Sequence, residues 1–262
     1  MSLITFTSDF GRSDHYVAAV KARVFRIAPE VSVVDVTHDI ESFNIIHGAY
    51  VLRSVFKDFP EKSVHIVSID TNGARRGRHL AVKLEGHFFI GPDNGIFSLI
   101  SDEKPAAVVA LGGEDTMLSS SPAKELYAEA AAKLVSGKPL TEVGDYTSKP
   151  LELRGRIPKL TKDLLVGNVL RVDHYGNLIV NISKLDFEKF REGRSFVVSF
   201  GREKLGRFVE VPNQAVPGEV YALFNSDGLL EIGINKGRAD ELLGMVYDSP
   251  VRIGFIEAED ED

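Results

Sequence analysis

The stretch that decides the fold is Leu3-Ile4-Thr5-Phe6-Thr7-Ser8-Asp9-Phe10-Gly11-Arg12-Ser13-Asp14-His15-Tyr16. Its first five residues are an apolar, β-prone run that stops at an acid and a glycine. A helical pattern follows, with Val17, Val20, Val24 and Ile27 on one face. A strand that feeds straight into a helix opens an α/β sheet. It also places Asp9 and Asp14 in the turn at the carboxyl end of the first strand, where ligands of open α/β sheets bind. Acids there, in place of a phosphate-cradling glycine loop, suit hydroxyl groups or a positive charge. The same acids have a structural use, one capping the helix and the other pairing with a surface arginine. Both uses are open at this point.

The alternation continues outward from this turn. Strand-like runs are Val31–Val36, Val64–Ile69, Leu80–Leu84, Phe88–Ile90 and Ala107–Leu111. Amphipathic segments lie at Tyr16–Ala28, at Phe43–Phe56 with Ser42 as its N-cap, and at Ala123–Val135, which ends at Gly137. After about Pro150 the style changes. Leu164–Val172, Leu178–Ile182, Phe196–Phe200, Leu205–Val209, Val220–Phe224, Leu229–Ile234 and Val251–Phe255 read as short strands, and only Lys236–Leu243 reads as helix. The expected fold class is α/β: an N-terminal α/β domain with a mostly parallel sheet over 1–150, a linker over 151–162, and a C-terminal all-β barrel-like domain over 163–262.

Composition narrows the function classes. The chain has 262 residues, 44% hydrophobic and 26% charged, the profile of an ordinary globular protein. A net charge of -7 argues against a broad basic face for nucleic acid. With no cysteine, thiolate metal sites and cysteine nucleophiles are excluded. No apolar run approaches the ~18 residues of a membrane span. No basic, apolar leader opens the chain, so the expected compartment is the cytoplasm. The acidic Glu257–Asp262 reads as a frayed, solvated end.

Further candidates are scattered. Asp70 closes the Val64–Ile69 run and precedes Thr71-Asn72-Gly73-Ala74-Arg75-Arg76. It either orients a water or ribose hydroxyl beside an arginine, or simply closes an Asx-turn. Asp173-His174-Tyr175-Gly176-Asn177, Asn225-Ser226-Asp227-Gly228 and Pro92-Asp93-Asn94-Gly95 are each good turn chemistry and singly carry no function. The seven histidines have no metal-ligand spacing, and His38 reads as a structural strand-end residue. There is no Gly-x-Gly-x-x-Gly, Walker loop or Gly-x-Ser-x-Gly elbow.

As an ordered set these pieces carry more. Ser8-Asp9-Phe10-Gly11, Val34-Asp35-Val36-Thr37-His38-Asp39-Ile40, Gly91-Pro92-Asp93-Asn94-Gly95, Asp173 to Ile182, Asn225-Ser226-Asp227-Gly228 and Asn235-Lys236-Gly237 together resemble the S-adenosylmethionine hydroxide adenosyltransferases, relatives of the fluorinases and chlorinases. The resemblance runs from Leu3 to Phe255. It implies hydrolysis of S-adenosylmethionine to adenosine and methionine by in-line attack of water at the ribose C5′. S-adenosylmethionine is then a substrate, and no cofactor is called for. The resemblance also implies a homotrimer whose sites lie between the N domain of one subunit and the C domain of the next. By similarity, Asp9 holds the ribose hydroxyls, and Asp14 and Phe43 line the nucleoside and methionine region. Asp173 meets the methionine ammonium, Asn177 bonds the adenine edge, and Ser226 adds polar contacts. Asp70 with Arg75 or Arg76 positions the attacking water.

The chain departs from the family pattern in two places. Where a catalytic histidine sits in a Phe-His-Gly-Arg-Asp motif, it reads Ser121-Pro122-Ala123-Lys124-Glu125; the aromatic before Pro-Gly-Glu is replaced by Val211-Pro212-Asn213. Pro122 neither donates nor accepts a proton through its side chain, and His15 is the candidate substitute. Three readings follow: a hydrolase that works without the histidine, a nucleoside- or S-adenosylmethionine-binding homologue without turnover, and a halogenase-like enzyme using the same substrate.

Overall fold

The computed structural model describes residues 3–112 and 119–256. The acidic segment 257–262 lies outside them. The chain divides into two compact units, residues 1–155 and 156–262.

Among its described residues the first unit has seven strands: β1 Ile4–Ser8, β2 Val33–Thr37, β3 Val64–Ser68, β4 His79–Leu84, β5 His87–Pro92, β6 Ala107–Leu111 and β7 Gly144–Tyr146. They form one sheet in the order β2-β1-β3-β5-β4-β6-β7. The pairs β1–β2, β1–β3 and β3–β5 are parallel, while β4 and β6 extend the sheet antiparallel towards β7. The helices are α1 Tyr16–Ile27, α2 Ile45–Val55, α3 Phe97–Ile100 and α4 Ala128–Val135. Period-two alternation sends side chains to two cores. Val64 and Ile66 of β3 join Ile4, Phe6, Val20, Val24 and Ala131 in one apolar cluster; Val67 joins Leu52, Phe56 and Phe97 in another. The sheet is thus covered on both faces, as a parallel strand set requires.

Three local readings are corrected in this unit. Ser42 is not the cap of α2. Phe43 adopts φ +65, which delays the helix, and Asn44 caps it by accepting the His47 N–H at 2.9 Å. The third helical segment opens with a π-turn, Ala123–Tyr127, before α4 begins. Ile27, expected on the buried stripe of α1, is exposed; Val20 and Val24 carry the packing.

The second unit contains β8 Lys159–Leu160, β9 Leu164–Val172, β10 Leu178–Ser183, α5 Lys184–Arg191, β11 Ser195–Phe200, β12 Glu203–Leu205, β13 Val220–Phe224, β14 Leu229–Ile234, α6 Ala239–Leu243 and β15 Pro250–Ile256. All strand pairs are antiparallel, in the order β12-β11-β15-β9-β10-β14-β13 with β8 on β9, a nearly closed, barrel-like sheet. Leu165, Val180, Val198, Ile232 and Ile253 fill its core. Sequence reasoning missed α5. Its signal is Ser183-x-x-Asp186: Ser183 Oγ accepts the Asp186 N–H at 3.0 Å and donates to the Asp186 carboxylate at 2.7 Å. Phe187 then packs among Phe196, Phe208 and Phe224. That packing is also why the expected strand Leu205–Val209 stops at Leu205: Phe208 leaves the sheet edge to stack on Phe196. The expected helix from Lys236 begins only at Ala239.

Candidate active site

The carboxyl ends of β1 and β3 are adjacent, because Ser8 pairs with Ser68. Asp9 leaves β1 there, and its Oδ2 accepts two backbone N–H groups, from Phe43 at 3.0 Å and from Asp70 at 3.1 Å. One carboxylate oxygen therefore ties together the β1 turn, the approach to α2 and the β3 turn. Asp9 Oδ1 has no partner among the described residues and remains available to a ligand. Phe43 is left-handed, its N–H meets Asp9 Oδ2, and the residue is 68% exposed.

Asp70 is held still more tightly. Its backbone is left-handed, φ 45 and ψ 52, a conformation that costs a non-glycine residue about 1–3 kcal/mol unless its surroundings impose it. Here they do: Asp9 takes its N–H, and its carbonyl accepts from Asn94 Nδ2 at 3.3 Å and from Gly73 N at 3.0 Å. A Cβ on Gly73 would stand 2.1 Å from Asp70 Oδ2, so the carboxylate lies flat against a bare Cα. Burial raises the Asp70 pKa above its ordinary 3.8, and the neighbouring Asp9 charge adds to this; the Gly73 N–H opposes both.

The turn of β1 has its own clamp. His38 Nδ1 hydrogen-bonds Ser8 Oγ at 2.7 Å, and the His38 carbonyl accepts the Gly11 N–H at 2.9 Å. His38 thus brackets Ser8-Asp9-Phe10-Gly11, a structural role. The capping alternative for the two opening acids does not hold, since α1 has no side-chain cap. Asp14 is exposed and makes no polar contact with Asp9 or Asp70.

Arg75 and Arg76 are both exposed, and neither forms an ion pair with Asp70. The embedded arginine of this loop is Arg78, which sequence reasoning passed over. It donates to Asp93 Oδ2 through Nε at 2.8 Å and Nη2 at 2.5 Å, and to Thr147, Ser148 and the Lys149 carbonyl. Asp93 is fully buried and also accepts the Leu151 N–H at 2.7 Å. Pro92-Asp93-Asn94-Gly95 is therefore more than a turn. Asp93 fastens Arg78 and the segment after β7, and Asn94 fastens the end of β3 by donating to the Ile69 carbonyl at 2.9 Å.

A second cluster lies in the second unit, on two hairpin turns. Asp173 Oδ1 accepts the Asn177 N–H at 2.8 Å and Oδ2 accepts Asn177 Nδ2 at 3.0 Å. Tyr221 Oη lies 3.2 Å from Asn177 Oδ1 and 3.3 Å from Glu231 Oε1. Burial raises the Glu231 pKa, and the Asp173 charge raises it further. Ser226 is exposed at the tip of the β13–β14 turn, which Asn225 Oδ1 closes by accepting from Asp227 and Leu229. Tyr221 and Glu231 carry no motif of their own. Their signal was the strand register, which sets Tyr221 opposite Gly233 and Leu223 opposite Glu231 on one face. Among the described residues no group of three or more His, Cys, Asp or Glu side chains could hold a metal ion.

The model of the SAM hydroxide adenosyltransferase N-terminal domain matches residues 4–144, and that of the C-terminal domain matches residues 167–252. The chain belongs to this family. It is 31% identical to the (R)-S-adenosyl-L-methionine hydrolase of Thermus thermophilus over 97% of this chain and 100% of that one. It is 29% identical to the Methanocaldococcus jannaschii protein of the same name over 97% and 96%. A fluorinase of an Actinoplanes species is 29% identical over 71% of this chain and 74% of its own. A crystal structure of an uncharacterized conserved protein from Thermotoga maritima superimposes with a TM-score of 0.84 at 28% identity, covering 96% of this chain and 100% of that one.

In this SAM hydroxide adenosyltransferase chain, the position where the resemblance implies a histidine holds Pro122. Pro122 is buried at the start of the π-turn. His15, the candidate substitute, is exposed and stacks near Tyr16, without a contact to Asp70.

Proposed function

We propose that this protein hydrolyses S-adenosylmethionine to adenosine and methionine. Water attacks the ribose C5′ in line with the sulfonium, the C5′–S bond breaks with its electron pair on sulfur, and methionine leaves as a neutral thioether. The water's second proton goes to a base. A sulfonium leaves without protonation, so alignment and acceptance of one proton are the tasks that remain. The observation that carries the reading is the Asp9 hub: one carboxylate oxygen orders Phe43 and Asp70 while the other stays open to a ribose diol. Asp70 is the group for the water, its pKa raised towards that of a useful base. Arg75 and Arg76, exposed on the same loop, are the candidates for orienting the water or the substrate. Asp14, Phe43 and Ser226 line the substrate. Asp173 faces the methionine ammonium, and Asn177 reads the adenine edge; a carboxylate against an ammonium and an amide against a purine edge are matched chemistries. Curated relatives at about 30% identity that carry the hydrolase name support the activity.

No helix among the described residues is long and apolar enough to cross a membrane. We propose a cytoplasmic homotrimer acting on S-adenosylmethionine as substrate, without a cofactor.

The test is incubation of purified protein with S-adenosylmethionine in ¹⁸O-water. Adenosine and methionine are expected in equal amounts, with the label in the adenosine 5′-hydroxyl. Absence of adenosine at high enzyme concentration, or an Asp70→Ala variant as active as wild type, sinks the proposal. Pro122 favours one second reading, a binding homologue without turnover. Calorimetric binding of S-adenosylmethionine with no product formed would establish that reading instead.

A further inference from the structure

The polar cluster of the second unit is one proton short. Tyr221 Oη has two acceptors in reach, Asn177 Oδ1 at 3.2 Å and Glu231 Oε1 at 3.3 Å, and a phenol carries one hydrogen. Asn177 Nδ2 already donates to Asp173. The protonation of Glu231 therefore decides where the Tyr221 hydrogen points. As a carboxylate, Glu231 draws the hydroxyl into a charge-assisted bond, and Asn177 Oδ1 loses its donor. As a neutral acid, Glu231 donates to Tyr221 Oη, Tyr221 donates to Asn177 Oδ1, and Asn177 donates to Asp173. Every hydrogen then points the same way along one chain.

We infer that Glu231 is a positioning residue whose proton, relayed through Tyr221, locks the Asn177 carboxamide in the orientation that reads an adenine edge. This deepens the function proposed above and rests on its assignment of Asn177 to adenine. An adenine edge sets an amino donor beside a ring-nitrogen acceptor, so a carboxamide fits it one way round only. With Nδ2 anchored on Asp173 and Oδ1 on Tyr221, the second Nδ2 hydrogen and the second Oδ1 lone pair face the base together.

Three further features support the relay. The charged groups facing Glu231 are Asp173 from the β9–β10 turn and Asp227 from the β13–β14 turn, both acidic, and they favour the protonated form. Burial acts in the same direction, while hydrogen bonds from Tyr221 and Asn225 oppose it. Gly233 makes room for the contact itself, since a Cβ there would stand 2.3 Å from Tyr221 Oη and 2.6 Å from Asn177 Oδ1.

The experiment is calorimetric titration of adenosine into the full chain across a pH series, with circular dichroism and melting curves confirming that each variant folds. For wild type, Kd should rise about three- to tenfold, the worth of one orienting hydrogen bond, as pH climbs through the Glu231 titration, which lies above the ordinary glutamate value. Glu231→Gln, whose amide can donate to Tyr221 at any pH, should hold the low-pH Kd throughout. Tyr221→Phe should show the high-pH Kd throughout, and carries the comparison if Glu231→Gln does not fold. A Glu231→Gln or Tyr221→Phe profile that tracks wild type overturns the proposal. Asn177→Ala separates the two levels. If it weakens adenosine while Glu231→Gln tracks wild type, the relay alone is wrong. If Asn177→Ala binds adenosine like wild type, the assignment of Asn177 fails and the relay falls with it.

Discussion

Asp70 is the residue on which the proposed chemistry turns, and its environment makes two predictions. Its carboxylate must be ionised to accept a proton, and burial and Asp9 raise its pKa above 3.8. The acid limb of the kcat/KM profile should therefore lie above the ordinary carboxylate value, with rate rising as pH climbs through it. Asp70→Asn should remove that limb along with most of the rate; an unshifted limb in the variant would assign it to another group. Gly73 is the complementary test. Gly73→Ala places a Cβ in the space Asp70 Oδ2 occupies, and the carboxylate must swing away. We expect kcat to fall by about 10²-fold or more, the scale of a misplaced catalytic group, with KM little changed, measured by steady-state adenosine release. Asp9, by contrast, was visible from the start as an acid at a strand end. Its double acceptance from Phe43 and Asp70 was not, because nothing in Ser-Asp-Phe-Gly specifies which distant backbone will come to meet it.

At the scale of elements, two buried polar contacts govern how the first sheet responds to damage. Arg78, just before β4, and Asp93, just after β5, form an ion pair in which the acid is fully buried. Arg78→Ala leaves that carboxylate without its cation and should cost about 3–5 kcal/mol, read from denaturant unfolding. A loss below about 1 kcal/mol would place the pair among ordinary surface bridges. Deeper in the sheet, His65 of β3 lies between Thr5 and His87, and burial, with the His87 charge, holds its pKa at about 3. Its unfolded counterpart titrates near 6.5. Below that value the unfolded chain binds a proton that the native chain refuses. The stability His65 contributes is therefore complete above pH 6.5 and is lost progressively as pH falls towards about 3. Melting temperatures should drop over that window, and His65→Asn should flatten the drop. At this scale most strands were legible from apolar runs and turn residues. The cap of α2 and the helix α5 were misread, because Phe43 turns left-handed and because a short, polar helix depends on one buried Phe187 more than on periodicity.

For the whole molecule, the prediction is the assembly. Light scattering at micromolar concentration should give the mass of three chains; a monomer would remove the homotrimer from the proposal. What the sequence by itself determined is the order of its parts: an α/β half, a half dominated by antiparallel strands, and a series of motifs whose succession marks a SAM hydroxide adenosyltransferase. Those features are local. Period-two and helical spacing, turn residues and motif order are set by neighbours along the chain, so they can be read there. Only the tertiary structure decided which arginine is held in an ion pair with a buried acid, how Asp9 orders Phe43 and Asp70, and that Tyr221 and Glu231 stand behind Asn177. Arg75, Arg76 and Arg78 are indistinguishable as letters; what separates them is that β4 lies beside β5 and brings the Asp93 carboxylate to the Arg78 guanidinium, while Arg75 meets Asp93 through its backbone N–H only. Strand adjacency and burial choose such partners, and both are properties of the packed chain: desolvation makes a charge seek its counterpart only after the sheet has decided which groups leave water together.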